Sequence, residues 1–418
     1  MGAIKRVLIV APTSVCSVWP KEFEEYADFK FNVAVLLGTK TKRISILKGL
    51  ESFPFKALLV AVINYESTWR EGLFEALKEF DPDMIICDES QRIKEPTAKQ
   101  SKAIHELGDK AKYKLILSGT PIQNNIIDLY SQYRFLDPTV FGNNYYAFRN
   151  RYAIMGGFDR RQIVGYRDLD KLIQKEHSIA YRVTKEEALD LPEQTFLTMI
   201  ITMEGKAKNT YDRLKRDSFA ELENGGQITA PTVLTKLLRL QQFTGGFLQA
   251  DESTRPEFVF DGKINALEDI LDDYVISAEK KLVIFCRFRP EIDLIKNSLE
   301  KKRIKYASIY GDIKIEDRGP IVDDFQTNPE TMVFLAQIDT AGLGITLTAA
   351  NTCVYYSVNF NYAAYSQSLA RIHRIGQKNT CTYIHLVVEK SIDETVLKAL
   401  AKKEDLAKTV VDDWRQYF

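Results

Sequence analysis

The feature that most restricts the fold of this chain is a series of short, continuous apolar runs, each followed by a polar cluster and then by a segment with helical spacing. The apolar residues in these runs do not alternate with polar ones, which is typical of strands that are buried on both faces. Strand, loop and helix in repeated order predict a parallel sheet covered by helices. In the first third of the chain, the predicted strands are Arg6–Val10, Ala57–Ile63, Met84–Cys87 and Lys114–Leu117, and the predicted helices are Trp19–Tyr26, Gly72–Phe80 and Ala98–Leu107.

The same alternation returns near Lys281 and predicts a second parallel-sheet domain. Its predicted strands are Leu282–Phe285, Tyr306–Ile309, Val333–Ala336, Val354–Tyr356 and Tyr383–Val388, and its predicted helices are Ile292–Leu299, Glu316–Phe325, Tyr362–Ile372 and Ile392–Lys402. Between the two domains the chain becomes rich in aromatic residues and arginine, and then shows amphipathic helical spacing over Lys206–Leu222 and Val233–Gln242. The fold class is therefore α/β, with a first sheet domain over residues 1–140, a mainly helical insert and linker over 141–260, a second sheet domain over 261–402 and a helical tail over 403–418.

The charge balance restricts the kind of partner. Lys plus Arg and Asp plus Glu both number 57, so the net charge is zero, which argues against a wholly basic DNA-coating protein but leaves room for a basic groove balanced by acidic faces. The five cysteines are scattered through apolar runs without paired spacing, so we expect buried thiols in a reducing compartment, with neither zinc nor disulfides. No apolar signal core and no run of membrane-spanning length is present, so a cytoplasmic protein is expected.

Two adjacent carboxylates follow one of the predicted buried strands. Asp88 and Glu89 come directly after Met84–Cys87, and the carboxyl ends of parallel strands are where open α/β sheets place their ligands. One carboxylate in such a position can hold Mg²⁺, and the other can orient an attacking water. An Asp-Glu pair is also common in surface loops, and a functional role is favoured by the buried strand before the pair and the helix start at Lys94-Glu-Pro-Thr97 after it.

A hydroxyl-rich loop follows the next strand, with the sequence Ser118-Gly-Thr-Pro-Ile-Gln-Asn124. Its two hydroxyl groups, on Ser118 and Thr120, are placed at a strand end where they can form hydrogen bonds to the acidic pair. An ordinary Gly-Pro turn after a strand is the alternative interpretation.

A paired-arginine segment lies near the carboxyl end of the chain. Arg371 and Arg374 are three residues apart in a segment that is predicted to be helical from Tyr362 onward, so they should project from one helical face. Arginine stays charged in proteins, and its planar fork matches phosphate oxygens two at a time. Taken alone, Arg-x-x-Arg is more often a solvated basic turn.

The eleven residues Gln367-Ser-Leu-Ala-Arg-Ile-His-Arg-Ile-Gly-Gln377 resemble the last motif of the Swi/Snf-type ATPases, the double-stranded-DNA translocase branch of superfamily-two helicases. Asp88-Glu-Ser-Gln91 is similar to the acidic box of that family, with Gln91 in place of the usual His. Ser118–Asn124 is similar to its third motif. The resemblance implies two RecA-like domains with ATP between them, Mg²⁺ held by Asp88, an attacking water oriented by Glu89, and Arg371 and Arg374 stabilising the transferred phosphate.

The resemblance also implies roles for residues whose own signal is weak. Motif position suggests nucleotide-binding roles, which we assign to Gln91, Ser118, Thr120, Gly342, Gly344 and Gln367. Positions that resemble the backbone-contacting motifs suggest contacts to double-stranded DNA, which we assign to Thr13, Asn64, Tyr65, Tyr310, Thr340 and Thr346. Plain helix caps and glycine turns are alternatives for several of these positions.

One motif of the family is not found in the 418 residues. The phosphate-cradling loop Gly-x-x-x-x-Gly-Lys-Thr should precede Ala11-Pro-Thr13, and the Gly-Lys pairs at Gly205 and Gly262 lack its other residues. One hypothesis is an ATP-dependent DNA translocase, of bacterial or viral origin, that is truncated or split, with its phosphate-binding piece on a separate polypeptide. The other is a catalytically inactive DNA-binding or scaffold protein that keeps the helicase fold.

Overall fold

Both predicted parallel sheets are present, and each belongs to a separate compact unit. The computed structural model describes residues 4–52, 57–157, 162–183, 185–223, 230–249 and 255–407. The first unit comprises Met1–Arg182 with Lys403–Phe418, and the second comprises Val183–Lys402. The α/β class is thereby confirmed.

The first unit holds the first sheet, a small hairpin and eight helices among its described residues. Its strands are β1 (Arg6–Ala11), β2 (Phe31–Val35), β3 (Leu58–Asn64), β4 (Met84–Asp88), β5 (Tyr113–Leu117), β6 (Ala153–Gly156) and β7 (Gln162–Tyr166). Its helices are α1 (Trp19–Tyr26), α2 (Lys40–Glu51), α3 (Leu73–Phe80), α4 (Lys99–Gly108), α5 (Leu129–Leu136), α6 (Pro138–Phe141), α7 (Tyr145–Tyr152) and α8 (Leu169–His177).

The first sheet has the order β2-β3-β1-β4-β5, and every pair in it is parallel. The side chains of β1 and β3 are buried on both faces of the sheet, as their continuous apolar sequences predict. Since all five strands run the same way, the residues that follow β1, β3, β4 and β5 lie along one edge of the sheet. That edge carries every candidate site residue of this unit.

The second unit contains a six-stranded parallel sheet with the order β12-β13-β11-β14-β15-β8 and a two-stranded β9-β10 ribbon. Its strands are β8 (Gln194–Ile201), β9 (Phe247–Leu248), β10 (Glu257–Phe258), β11 (Leu282–Cys286), β12 (Tyr306–Ile309), β13 (Val333–Gln337), β14 (Thr352–Tyr355) and β15 (Cys381–Val388). Its helices are α9 (Lys185–Ala188), α10 (Gly205–Glu223), α11 (Ala230–Thr244), α12 (Gly262–Ile270), α13 (Arg289–Lys301), α14 (Ile315–Thr327), α15 (Tyr362–Leu369) and α16 (Ile392–Ala407).

The predicted insert over residues 141–260 is not a separate domain. It is divided between the two units at Arg182, and its residues 194–201 form β8, which pairs with β15 along its whole length. The β6-β7 hairpin is also strand rather than helix. The predicted tail is grouped with the first unit, and its residues 408–418 lie outside the described part. Sequence spacing marks elements, but long-range pairing decides which unit each element joins.

Strand β2 and helix α2 are not predicted by the apolar pattern. Asn32 interrupts β2, all of whose residues are only half-buried, and α2 has scattered apolar positions. Thr39 caps α2 by accepting a hydrogen bond from the Lys42 backbone amide.

The five cysteines are all buried thiols, as expected. None of the helices in the described ranges combines the length and apolarity that a membrane crossing requires.

Candidate nucleotide and nucleic-acid sites

The acidic pair lies at the carboxyl end of β4, where the backbone turns sharply. Asp88 is the last residue of the strand, and Glu89 has a φ of 52°, in the left-handed region that is costly for residues with a β-carbon. Burial, followed by the charge of Glu89, raises the pKa of Asp88. A divalent cation between the two carboxylates would offset both effects. The strained turn and the crowded charge are typical of a functional site rather than of a surface loop.

Gln91 connects this pair to the loop after β5. It is buried, and its side-chain nitrogen donates a 2.5 Å hydrogen bond to the Glu89 carboxylate. Its side-chain oxygen accepts a 2.8 Å hydrogen bond from the Ser118 hydroxyl. Because the Gln91 amide has both a donor and an acceptor atom, it connects the acidic box to the loop after β5.

The 118–125 loop is held by side chains of the following helical segment. The Asp128 carboxylate accepts hydrogen bonds from the backbone amides of Gln123, at 2.9 Å, and Asn124, at 2.8 Å. Within the loop, the Thr120 amide donates to the Ser118 hydroxyl at 3.1 Å, whereas the buried Thr120 hydroxyl has no partner among the described residues. The loop is thus shaped by hydrogen bonds from within the unit.

A second link between the acidic box and this loop was missed by sequence reasoning. The Ser90 hydroxyl donates to the Gln132 side-chain oxygen at 2.7 Å, and the Gln132 nitrogen donates to the Pro121 carbonyl at 2.8 Å. Both Ser90 and Gln132 are buried. The signal in the sequence was the four-residue spacing of Asp128 and Gln132 in a helical stretch, which places both on one helical face.

The prediction that Tyr65 contacts nucleic acid is wrong for this structure. Tyr65 is fully buried, and its hydroxyl donates a 2.7 Å hydrogen bond to the carbonyl of Asp88. Asn64 is also buried, and its side chain accepts from Arg43 and donates to Glu66, both at 2.8 Å. Neither side chain is presented to a phosphate, and both instead support the acidic turn and the basic residue beside it. Thr13, by contrast, is exposed after β1 and remains a candidate contact.

Arg43 is a candidate phosphate contact that the sequence did not suggest. Its guanidinium donates to Asn64, to the Ser67 hydroxyl at 2.6 Å and to the Gly38 carbonyl at 2.8 Å. Burial, and then the charge of Arg70, lowers the pKa of Arg43. Two cations are thus held near each other at the end of β3, although no acidic side chain pairs with Arg43 in the described part. The residue was missed because it lies on α2, which the apolar pattern did not predict.

The paired arginines lie after a helix rather than on it. Helix α15 ends at Leu369, and the chain then turns, so the prediction that both arginines project from one helical face is wrong. The turn brings them to one loop nevertheless. Arg371 donates to the Ile345 carbonyl at 3.3 Å, and Arg374 donates to the Gly344 carbonyl at 3.2 Å. Arg371 is only 8% exposed, whereas Arg374 is exposed, so the two residues differ in how far they can reach a ligand.

Gln377 and His373 of the same motif have structural roles. The Gln377 side chain donates to the Ala350 carbonyl at 2.9 Å and accepts from the backbone amides of Lys378 and Asn379. His373 is buried, and one of its ring nitrogens lies 2.8 Å from the Pro192 carbonyl. The specific sequence of this motif therefore serves partly to build the turn that holds the arginines.

The remaining candidates of the second unit differ in their surroundings. Gly344 has a φ of 71°, which favours glycine, and the Thr340 hydroxyl is bonded at 2.5 Å to the Gln337 carbonyl. Thr346 and Gln367 are half-buried, and the surroundings of Gly342 fall outside the described part. The Tyr310 ring is covered by Arg289, whose guanidinium carbon lies 3.7 Å from the ring centre. A nucleic-acid contact at Tyr310 would therefore involve Arg289 as well.

A site for Mg²⁺ fits the acidic pair. Mg²⁺ binds proteins through one or two carboxylates and takes its remaining ligands from water and from substrate phosphates. Asp88 and Glu89 supply two carboxylates on consecutive residues at the end of β4. Across the described residues, no cluster of three or more His, Cys, Asp or Glu side chains is arranged to hold a metal by itself.

Comparison with known proteins gives several similarities. Residues 1–245 match the model of the SNF2-related domain, and residues 262–376 match that of the helicase conserved C-terminal domain. An uncharacterized ATP-dependent helicase of Mycoplasma genitalium is 26% identical over 97% of this chain and 37% of its own length. The chromodomain-helicase-DNA-binding protein 1-like of Danio rerio is 27% identical over 98% of this chain and 39% of its own length. A solved SWI2/SNF2 ATPase core of Sulfolobus solfataricus in complex with dsDNA is 25% identical, covers 99% of this chain and 84% of that one, and has a TM-score of 0.42.

The curated relatives are longer than this chain and come from several kinds of organism. The chain spans about two fifths of the length of the curated relatives. Relatives occur in bacteria and in eukaryotes, so the expectation of a bacterial or viral origin has no support here. The first family model covers more than half of the chain, and the second covers the region of the paired arginines. The fold has two RecA-like domains, and the helicase C-terminal model matches the second of them. This protein therefore belongs to the SNF2-related family.

Proposed function

We propose that this chain is the motor core of an ATP-dependent translocase that acts on double-stranded DNA. The observation that supports this most directly is the hydrogen-bonded path from Glu89 through Gln91 to Ser118. Such a path lets the state of a nucleotide at the acidic pair alter the loop that follows β5. The relatives are named as ATP-dependent helicases and as a helicase-DNA-binding protein, which agrees with this role.

The chemistry assigned to each residue follows from its surroundings. Bound ATP supplies the phosphoryl group that is transferred to water. Asp88 would hold Mg²⁺, and Glu89, oriented by Gln91, would position the attacking water. Arg374 is exposed and placed on a glycine-containing loop, and it stabilises the charge on the transferred phosphate, with Arg371 fixing the loop through the Ile345 carbonyl.

DNA contacts in this proposal are made to the phosphate backbone. Thr13 and the cations Arg43 and Arg70 lie at or beside the strand ends of the first sheet, and Tyr310, Thr340 and Thr346 are the candidates of the second. Hydroxyl groups and guanidinium groups bind phosphates without reading base sequence. Movement along duplex DNA would not require separation of the strands.

The phosphate-cradling loop is proposed to come from a segment outside these 418 residues, on the same or on another polypeptide. Strand β5 is the outermost strand of the first sheet, and no described strand pairs with its outer edge. Leu115 and Leu117 are 39% and 37% exposed, although parallel sheets are normally covered on both faces. Leu117 pairs with Asp88, so the two residues lie on the same face of the sheet. A strand with a following helix would fill the edge, cover the leucines and place its connecting loop near the acidic pair.

The alternative is a catalytically inactive DNA-binding or scaffold protein. The absence of Gly-x-x-x-x-Gly-Lys-Ser/Thr from the sequence favours it, and the preserved acidic box and arginines favour the enzyme. ATPase activity should be measured with and without duplex DNA, for the chain alone and after addition of a segment carrying a strand, the phosphate-binding loop and a helix. DNA-stimulated turnover that depends on the added segment supports the translocase. DNA binding with no turnover under either condition supports the scaffold.

A further inference from the structure

The β6-β7 hairpin has an apolar outer face. Its inner face packs into an aromatic cluster of the first unit through Ala153, Met155 and Ile163. The outer face of an isolated two-stranded hairpin is normally polar, because water covers it. Here Ile154 is 43% exposed and Val164 is 60% exposed.

A β-bulge places Val164 on this outer face. Ile154 pairs with Gly165 and Met155 pairs with Ile163, so Val164 is an extra residue without a partner across the hairpin. Bulges turn a side chain away from the direction that strict alternation would give it. Since its neighbour Ile163 points into the core, the bulge allows both Val164 and Gly165 to lie outward.

Glycines on the same face make room for these side chains. A β-carbon at Gly156 would lie 2.8 Å from Val164, so any side chain there would displace the valine. A β-carbon at Gly165 would lie 3.4 Å from Ile154, which is tight. Ile154 and Val164 therefore lie across the glycines as a low ridge, which we call the hairpin ridge (Ile154, Gly156, Val164 and Gly165).

Basic residues predominate in the sequence around the hairpin ridge, which is flanked by Asp137 and Asp168. Residues 138–157 and 162–167 contain three arginines and no aspartate or glutamate. The Arg149 guanidinium lies 5.1 Å from the ring centre of Tyr146, which is exposed, and that of Arg151 lies 5.5 Å from the ring centre of Tyr152. Arg167 donates to the backbone carbonyls of Asn150 and Arg151, and it thereby ties the hairpin to the carboxyl end of α7.

We propose that the hairpin ridge, with Arg149 and Arg151, is a second contact surface for duplex DNA. This inference rests on the proposed function, because it takes duplex DNA as the partner, but none of its residues belongs to the motifs discussed above. A two-stranded ribbon is narrow enough to enter a groove of the duplex, where branched apolar side chains pack against sugars and base edges. The guanidinium groups of Arg149 and Arg151, on the helix that precedes the hairpin, bind the adjacent phosphates. Charge complementarity favours DNA over a second copy of this near-neutral chain.

The test separates the apolar contact from the ionic one. Two variants of the full chain are compared with wild type for binding to a 30-base-pair duplex by fluorescence anisotropy, over a series of salt concentrations. Ile154→Thr/Val164→Thr keeps the branched shape needed for the strands but makes the ridge polar, and Arg151→Gln removes one charge. Ile276→Thr and Arg303→Gln, at exposed positions of the second unit, are the matched controls. Thermal unfolding of every variant checks that the fold is kept.

The two variants should weaken binding in different ways. The ridge variant should raise Kd by about fivefold to tenfold without changing the salt dependence, because it loses apolar contact only. Arg151→Gln should weaken binding and reduce the slope of log K against log salt by about one. Unchanged Kd in both variants, while wild type binds DNA normally, overturns this inference and leaves the proposed function standing. Failure of wild type to bind the duplex overturns both. A self-association that is lost in the ridge variant, with DNA binding intact, would assign the ridge to a second copy and also overturn the inference.

Discussion

The hydroxyl group of Ser118 donates a 2.8 Å hydrogen bond to the side-chain oxygen of Gln91, whose nitrogen in turn holds the Glu89 carboxylate. The path therefore runs from one strand end to the next through a single buried residue. Glutamine has no titratable group, so Gln91 itself stays neutral at every pH at which the protein is folded. The link also holds a glutamate whose backbone conformation is unfavourable by itself.

Gln91→Ala should remove this link and leave both partners without it. We expect the free energy of unfolding to fall by about 1–2 kcal/mol, because a buried hydrogen-bonding side chain is truncated. In an active preparation, DNA-stimulated turnover should fall by at least about tenfold, with a smaller change in nucleotide affinity. Denaturant titration and steady-state ATPase assays measure the two effects. Gln100→Ala, on helix α4, is the control, and equal behaviour of the two variants would contradict the proposed coupling.

Arg374→Ala is the more informative of the two arginine substitutions. Arg374 is exposed, so its loss should leave stability nearly unchanged, whereas Arg371 is buried and holds the Ile345 carbonyl. In a preparation with ATPase activity, Arg374→Ala should lower kcat by about 10³–10⁵, as for other arginines that stabilise a transferred phosphate. Nucleotide and DNA binding should change far less. Arg303→Ala is the matched control and should keep normal turnover. Normal turnover by Arg374→Ala as well would show that Arg374 has a structural role only.

The exposed leucines of β5 give a test of how the first sheet is completed. Leu115→Lys/Leu117→Lys should leave the stability of the chain alone nearly unchanged, because both side chains are already partly in water. It should abolish the stimulation of ATPase activity by an added strand–loop–helix segment, since that segment would then have to bury two charges. Hydrogen exchange should show protection of the β5 amides when the segment is added to wild type. Val18→Lys is the control for added charge. Stimulation that persists in the double variant would show that the segment does not bind at the outer edge of β5.

The stability of the first unit should depend on pH through Glu176. Burial raises the pKa of this carboxyl from 4.5 to about 8, and its Oε2 atom has no hydrogen-bond partner in the described structure. The folded state therefore binds the proton more tightly than the unfolded state, so this contribution is fully present below about pH 4.5 and is lost as pH rises to about 8. The change should amount to roughly 3–5 kcal/mol.

Glu176→Gln should flatten this pH dependence, because the substituted side chain stays neutral. Denaturant unfolding at several pH values between 5 and 8.5 measures the pH dependence of the free energy of unfolding. Hydrogen exchange in α8 shows whether the change occurs in the first unit. Glu24→Gln, at an exposed position of α1, should keep the wild-type slope. A wild-type slope in Glu176→Gln would show that this carboxyl is ionised in the folded protein.

DNA binding should be salt-dependent and weakly dependent on sequence. The candidate contacts are hydroxyl and guanidinium groups that bind phosphates, so affinity should fall steeply as salt rises and counterions are less readily released. Binding should survive the removal of nucleotide. Anisotropy measurements on several unrelated duplexes of equal length test this, and a strong preference for one duplex that is insensitive to salt would refute it.

The sequence by itself determined the two parallel sheets and the strand ends that carry the acidic pair and the hydroxyl loop. Continuous apolar runs such as those of β1 and β11 can be buried only in covered sheets, and a polar pair directly after such a run must lie at the sheet edge. The eleven-residue arginine motif likewise carried the resemblance to the Swi/Snf-type ATPases, which the family match of the chain confirms.

Only the tertiary structure decided which of the candidate side chains are buried and which residues they contact. Tyr65 has the same local pattern whether its hydroxyl points to solvent or to the Asp88 carbonyl, and that choice depends on a strand more than twenty residues away. Arg371 and Arg374 meet one loop although their helix ends before them, because the hydrogen bonds of Gln377 fix the turn. The same holds for β8, which joins the second sheet by pairing with β15 across the sequence. Local periodicity indicates which residues are buried, but long-range hydrogen bonds decide which elements those residues pack against.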